Sequence, residues 1–162
     1  MKKLFGTDGM RGEAGQFPLD TETIKIVGAS LARQFSEKNA GKAAKFIIGR
    51  DTRESGVWLE AAFCAGTMSE GATVISAGVI TTPGVAFLTR DRQADAGVVV
   101  SASHNPFHDN GIKIFSPSGK KIDESTERRI EADIEAQGRS NATNDKQRTT
   151  NNEQRKNCGK FI

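Results

Sequence analysis

Residues 97–106 read Gly97-Val-Val-Val-Ser101-Ala-Ser-His-Asn-Pro106. Three consecutive valines with no polar alternation predict a strand buried on both faces, as in a sheet covered by helices on each side. Polar residues follow at once, and Asn105-Pro106 forces a turn that keeps Ser103 out of regular pairing. In an open α/β sheet, ligands bind at the loops beyond the carboxyl ends of the strands. Ser103 is therefore expected at the exposed tip of a rigid element. Spacing alone still favours a polar turn with two hydroxyls over a nucleophile, because the segment lacks the flanking glycines of the Gly-x-Ser-x-Gly hydrolase elbow.

Outward from this segment, strand and helix patterns alternate. Residues 20–35 predict an amphipathic helix, with Asp20 as cap and Ile24, Val27, Leu31 and Phe35 at helical spacing. Lys45-Phe-Ile-Ile-Gly49 is short and apolar enough for a buried strand, and Arg50-Asp-Thr-Arg53 makes a polar turn. Residues 55–69 predict a second helix, in which Trp58, Ala62, Ala65 and Met68 can share a face and Gly71 is the stop. Ala72-Thr-Val-Ile-Ser76 is the next strand, and Thr81-Thr-Pro83 opens a short helix over 84–90. Gly111-Ile-Lys-Ile-Phe115 alternates and follows its neighbour too closely for a helical crossover, which leaves an antiparallel pairing open. Asp123 caps a last helix ending at Gln137, with Gly138 as stop. The alternation predicts one α/β domain over 1–138, a three-layer α/β/α sandwich with a mixed, largely parallel sheet.

The 162 residues suit one domain, and the 36% that are hydrophobic suffice for a core. No apolar run approaches the roughly 20 residues that cross a bilayer. The two lysines at the N-terminus have no apolar stretch behind them, so no secretory signal is expected and the cytoplasm is the default address. Cys64 lies in an apolar helical pattern, where a buried free thiol is expected, and Cys158 in a polar tail; their spacing suggests neither zinc nor a disulfide framework. The net charge of +3 is unevenly placed. From Arg139 to Ile162 six basic residues stand against two acidic ones, leaving 17 against 18 in the rest of the chain. The globular part is nearly neutral and gives no warrant for nucleic-acid binding. The tail over 139–162 is too poor in apolar residues to offset its ordering entropy, and disorder is expected there.

Three more clusters carry chemistry-bearing residues. In Phe5-Gly-Thr-Asp-Gly-Met-Arg-Gly12, three glycines can bring backbone N–H groups and Arg11 close to an anion, and guanidinium matches two phosphate oxygens at once. The same composition also makes an ordinary turn. In Gly49-Arg-Asp-Thr-Arg53, pairing of Arg50 with Asp51 is the preferred reading over substrate contact. In Asp109-Asn-Gly-Ile-Lys113 a turn aims Lys113 from the start of a strand, although a lysine alone is usually solvated.

Taken together, in order and in spacing, the clusters resemble the first domain of the alpha-D-phosphohexomutase superfamily over about residues 3–137. SASHNPFHDNGIKIF resembles the superfamily's phosphoserine loop, GRDTRESG and TTPGVAF fit the pattern between, and FGTDGMRG is similar to the phosphoglucosamine mutase branch. The resemblance implies that Ser103 carries the transferred phosphoryl group, with one Mg²⁺ on its phosphate. It implies a sugar phosphate substrate, glucosamine 6-phosphate, converted to glucosamine 1-phosphate through a 1,6-bisphosphate on the route to cell-wall amino sugars. Arg11 and Lys113 match positions near the transferring phosphoryl group. His104 matches a histidine that orients the substrate hydroxyl or assists proton transfer, with loop anchoring an equal alternative. Asn105 is expected to hold the loop, and His108 to be a surface residue.

The departure is large. A full member has four domains, and the Asp-Gly-Asp-x-Asp-Arg metal loop of the second does not occur here. Mg²⁺ prefers several oxygen ligands, which one serine phosphate cannot supply. Little or no turnover is expected of the first domain alone. The polar tail after Gly138 fits a frameshift, a truncation or a shortened linker. A lone first domain is expected to expose a face that otherwise packs on the second, with self-association or low solubility as the two outcomes. No nucleic acid or membrane partner is expected. Two other readings stand beside the first: a phosphomannomutase or phosphoglucomutase, and a non-catalytic fragment that binds a sugar phosphate or a partner protein.

Overall fold

The computed structural model describes residues 3–138. The disorder expected over 139–162 lies outside them. In chain order the elements are β1 (Phe5–Gly6), β2 (Gly9–Glu13), α1 (Thr21–Lys38), β3 (Lys45–Arg50), α2 (Ser55–Ser69), β4 (Thr73–Val79), α3 (Thr82–Asp91), β5 (Ala96–Val100) and β6 (Asp109–Phe115). A last helix, α4, covers 124–138. One sheet of six strands runs β1-β2-β6-β5-β3-β4. β3 pairs parallel with both β4 and β5. β6 pairs antiparallel with β5, because a loop of eight residues turns the chain back without a crossover helix.

The apolar pattern decides the layers. All five residues of β5 are buried. Their side chains alternate, so Val98 and Val100 join a core with α1, α2 and α4, while Val99 joins Ile47, Val85 and Ala94 beneath α3. Helices thus cover both faces, as three layers require. Asp20 caps α1 by accepting from the Thr23 N–H at 2.9 Å. Ile24, Val27, Leu31 and Phe35 all face the core. Asp123 accepts from the Thr126 N–H at 2.8 Å and starts α4 in the same way.

The buried face of α2 differs from the expected one. Leu59, Ala62, Phe63, Gly66 and Thr67 are buried, while Ala65 and Met68 are exposed and Trp58 is half-buried. Close contact with α1 sets this rotation. A Cβ on Gly66 would lie 2.0 Å from the Lys25 carbonyl oxygen, so only glycine lets the two backbones approach. Cys64 is a free, half-buried thiol, and burial, helped by the nearby Glu60 carboxylate, pushes its pKa up.

The N-terminal segment read as a loop or turn is instead a hairpin that extends the sheet. β1 pairs with β2, and β2 pairs antiparallel with β6 from Met10 opposite Ile112 to Glu13 opposite Asp109. Its glycine-rich sequence hides the strand, because the order comes from tertiary contacts. Gly9 has φ +92°, and a Cβ there would meet the Ile112 carbonyl oxygen at 2.3 Å. The buried Glu131 of α4 accepts from the N–H groups of Leu4 at 2.6 Å and Phe5 at 2.9 Å. Lys121 donates to the Gly6 carbonyl at 2.7 Å while pairing with Glu127.

Candidate functional site

The site forms where the carboxyl end of β5 meets the seam between the parallel and antiparallel halves of the sheet. Val100 and Ala102 are fully buried, and the chain surfaces at Ser103. The serine has φ +56°, a left-handed conformation that costs a non-glycine residue energy and needs outside support. Its N–H donates to the Ser101 hydroxyl at 3.1 Å. Ser101 is buried and donates in turn to Asp51 at 2.7 Å.

One cation contacts the exposed hydroxyl and a second contacts its loop. Lys113 Nζ donates to Ser103 Oγ at 2.9 Å. Because β6 runs antiparallel to β5, Lys113 lies opposite Val99 in the ladder and reaches over the end of that strand. Its side chain is only 8% exposed, far from the solvated lysine that residue type alone suggests. Arg11, on β2, reaches in from the hairpin and donates through Nη1 to Asn105 Oδ1 at 3.4 Å. Between the two cations lies the Asp8 carboxylate, 3.1 Å from Lys113 Nζ and paired with Arg11 Nη2. Partial burial pushes the Asp8 carboxyl up, but Lys113 and then Arg11 pull it down further, and it ends below the usual carboxylate range. The arrangement is an anion site beside a hydroxyl, with an internal carboxylate in it.

Asn105 holds the loop as expected of it, donating from Nδ2 to Asp109 at 3.0 Å. His104 is exposed and makes no side-chain hydrogen bond among the described residues, so it does not anchor the loop. His108 is also exposed, its ring 5.6 Å from that of Phe107 and its Nε2 3.6 Å from Asp109. Arg50 does not pair with Asp51. It pairs with Glu60 at 2.9 Å, and Asp51 pairs with Arg53 at 3.1 Å. The sequence turn at 50–53 allowed either geometry; the helix α2 that follows places Glu60 over Arg50 and turns Asp51 toward the serine loop. From the sequence, Asp8 and Arg53 have no role of their own, and Asp51 only that of a partner for Arg50. The available signal was an aspartate two residues before an arginine directly after a buried strand.

No group of three or more His, Cys, Asp or Glu residues able to hold a metal ion occurs among the described residues. Asp8, the carboxylate that shares Lys113 with Ser103 Oγ, already sits between two cations. Mg²⁺ does not fit on these residues alone.

Residues 2–141 match the family model described as phosphoglucomutase/phosphomannomutase, alpha/beta/alpha domain I. The chain is 52% identical over 134 residues to a phosphoglucosamine mutase of Deinococcus deserti, covering 83% of this chain and 30% of that protein. It is 51% identical over 132 residues to a phosphoglucosamine mutase of Chlamydia trachomatis serovar D, covering 82% of this chain and 29% of that protein. Among solved structures, a phosphoglucomutase/phosphomannomutase family protein from Burkholderia thailandensis superposes with TM-score 0.67 at 26% identity, over 82% of this chain and 30% of that one. The chain thus spans about 30% of the length of the curated relatives it matches.

Proposed function

The chain belongs to the phosphoglucomutase/phosphomannomutase family as its alpha/beta/alpha domain I, and from that premise we propose that Ser103 carries the phosphoryl group in the interconversion of glucosamine 6-phosphate and glucosamine 1-phosphate. One observation carries the proposal: the exposed Ser103 hydroxyl lies 2.9 Å from a nearly buried lysine ammonium, to which Arg11 is joined through Asp8. The relatives of about half-identical sequence, named phosphoglucosamine mutases, favour glucosamine over mannose or glucose.

In the reaction, the free hydroxyl of the sugar phosphate attacks the phosphorus on Ser103. An oxygen–phosphorus bond forms to the sugar, the bond to Ser103 Oγ breaks, and the serine oxygen takes up a proton as the sugar hydroxyl loses one. The 1,6-bisphosphate turns round, and Ser103 Oγ takes its other phosphoryl group back by the same exchange. Phosphoryl transfer needs alignment and stabilised charge far more than covalent help. Lys113 holds Oγ and neutralises charge on it as its bond to phosphorus breaks. Arg11 meets the equatorial oxygens, for which Asp8 has to swing aside. His104, exposed and without a side-chain partner, is free to meet the sugar hydroxyl and move its proton. The phosphate on Ser103 offers Mg²⁺ a single ligand, so the ion that family members use takes its other ligands from outside these residues. The groups that would grip the far end of the sugar lie outside residues 3–138 as well, so this domain taken by itself would turn over slowly. The cytoplasm is the proposed compartment; no helix among the described residues is long and apolar enough to cross a membrane.

Incubation with glucosamine 1,6-bisphosphate, followed by mass analysis of the proteolytic peptides, tests the reading. Phosphate is expected on Ser103. It is not expected on Ser101, whose hydroxyl is buried and engaged, nor on Ser116, at the opposite end of the sheet. Undiminished labelling of a Ser103→Ala chain ends the proposal.

A further inference from the structure

Over 103–109 the chain turns from β5 into β6, and its carbonyls take donors within the turn, from the Ala14 N–H and from a side chain. Four of the carbonyls converge on that one side chain. Arg53 Nη1 donates to the carbonyls of Pro106 at 2.5 Å and Asp109 at 3.0 Å. Its Nη2 donates to those of Ser103 at 3.0 Å and Asn105 at 2.8 Å. The remaining donor, Nε, goes to Asp51 Oδ2 at 3.1 Å. Every N–H of the guanidinium is therefore used inside the protein, and the side chain is only 11% exposed. No donor is left over for a substrate phosphate.

Asp51 closes the arrangement into a ring. The same carboxylate oxygen that accepts from Arg53 accepts from Ser101 Oγ at 2.7 Å, and Ser101 Oγ accepts from the Ser103 N–H at 3.1 Å. Ser103 is thus gripped at both of its backbone polar groups: N–H through Ser101 and carbonyl through Arg53. That double grip accounts for a non-glycine residue held at φ +56°. An ammonium could not substitute, because it is a point charge without the rigid fork that reaches separated carbonyls.

We propose that Arg53 is the positioning residue of Ser103: its guanidinium sets the shape of the 103–109 loop and so holds the serine hydroxyl against Lys113. The inference rests on the reading of Ser103 as phosphoryl carrier. It differs from the expectation for Arg11 and Lys113 in that Arg53 touches no reacting atom.

The test compares the unmodified chain with Arg53→Ala and Arg53→Lys. Two quantities are read: the initial rate of phosphate transfer from glucosamine 1,6-bisphosphate to Ser103, and amide hydrogen exchange over 102–109. Arg53→Ala is expected to slow transfer by roughly 100-fold, the scale of an ångström-sized misplacement. Exchange should rise in the loop while β3 and β5 stay protected. Arg53→Lys should resemble Arg53→Ala. Added guanidinium ion should recover part of the rate and of the loop protection in Arg53→Ala, whereas sodium chloride at the same ionic strength should not. Guanidinium weakens proteins in general, so such a recovery has no explanation in overall stability. Transfer at the unmodified rate in either variant overturns the proposal, and so does slowed transfer with unchanged loop exchange or with no guanidinium effect. Should the unmodified chain accept no phosphate, the functional reading fails separately. Loop exchange and its reversal by guanidinium then decide for or against the clamp. Should Arg53→Ala not fold, Arg53→Lys carries the rate and exchange measurements.

Discussion

The two flanks of the site are built by different means. On one side, the loop carrying Ser103 springs from β5, in the parallel part of the sheet, and is fixed by Ser101 and by Arg53 and Asp51 just beyond β3, the strand paired with β5. On the other side, Arg11 and Asp8 ride on the β1–β2 hairpin at the sheet edge, which is held from far along the chain by Glu131 and Lys121. The nucleophile is thus mounted on a central strand and clamped from the neighbouring one, and much of the anion-binding charge rides on an edge hairpin held from the α4 side of the fold. Lys113 stands between them on β6, which pairs with both.

The sharpest way to break this division is at its seam. Lys113→Met keeps the length and apolar stem that a side chain 8% exposed needs, but removes the charge beside Ser103 Oγ. Phosphate transfer to Ser103 is expected to fall by about 10²–10³-fold, the usual scale for one charge-stabilising donor. Unfolding midpoints should change little. A chain that folds and transfers at the unmodified rate would show that Lys113 contributes nothing to the chemistry, and Arg11 on the hairpin would have to supply it alone.

Glu131→Ala breaks the weaker flank. One carboxylate oxygen accepts the N–H groups of both Leu4 and Phe5, and its loss leaves those donors unpaired at a buried site. The expected cost is about 3 kcal/mol in denaturant unfolding, at the upper end for a buried donor losing a charged acceptor. The pattern matters more than the total. Exchange protection should vanish over β1 and β2 while β3 and β5 keep theirs. Uniform loss across the sheet would mean that the two halves are one cooperative unit and that the division drawn here is false.

The same division governs what the sequence reveals. The valines of β5, the helical spacing in α1 and the caps Asp20 and Asp123 each act on their own neighbourhood, so local patterns place them correctly. The hairpin does not announce itself, because Phe5-Gly6 and Gly9–Glu13 become strands only through β6 and Glu131. The rotation of α2 was illegible for a related reason: an apolar count favours Ala65 and Met68, whereas glycine contact with α1 buries Gly66. Within the site, Ser103, Arg11 and Lys113 were visible by resemblance and do come together. Arg53 was not, because its partners are backbone carbonyls, which every residue has and no motif encodes.

Asp8→Asn gives the smallest effect and sharpens the comparison most finely, because it changes charge on the hairpin flank without touching the loop clamp. The Asp8 carboxyl lies below its ordinary value, burial opposing and Lys113 and Arg11 outweighing it. A depressed carboxyl contributes stability that is fully present above its unfolded value of about 4 and is lost as pH falls through its lower folded value. The side chain is 60% exposed, so solvent screens the pair and Asp8→Asn is expected to cost only a few tenths of a kcal/mol above about pH 4, a difference that closes as the pH falls into acid. At neutral pH the variant should therefore be slightly less stable than the unmodified chain, and in acid below the folded pKa of Asp8 the two should converge. Transfer of phosphate to Ser103 should nevertheless quicken by up to about fivefold, equivalent to the ~1 kcal/mol between unit charges 4 Å apart in water. The reason is geometric: the carboxylate occupies the place between Lys113 and Arg11 that an incoming phosphoryl oxygen needs. Slower transfer in Asp8→Asn would instead mean that Asp8 aligns the two cations more than it blocks them, and the exposed flank would then be as preorganised as the clamped one.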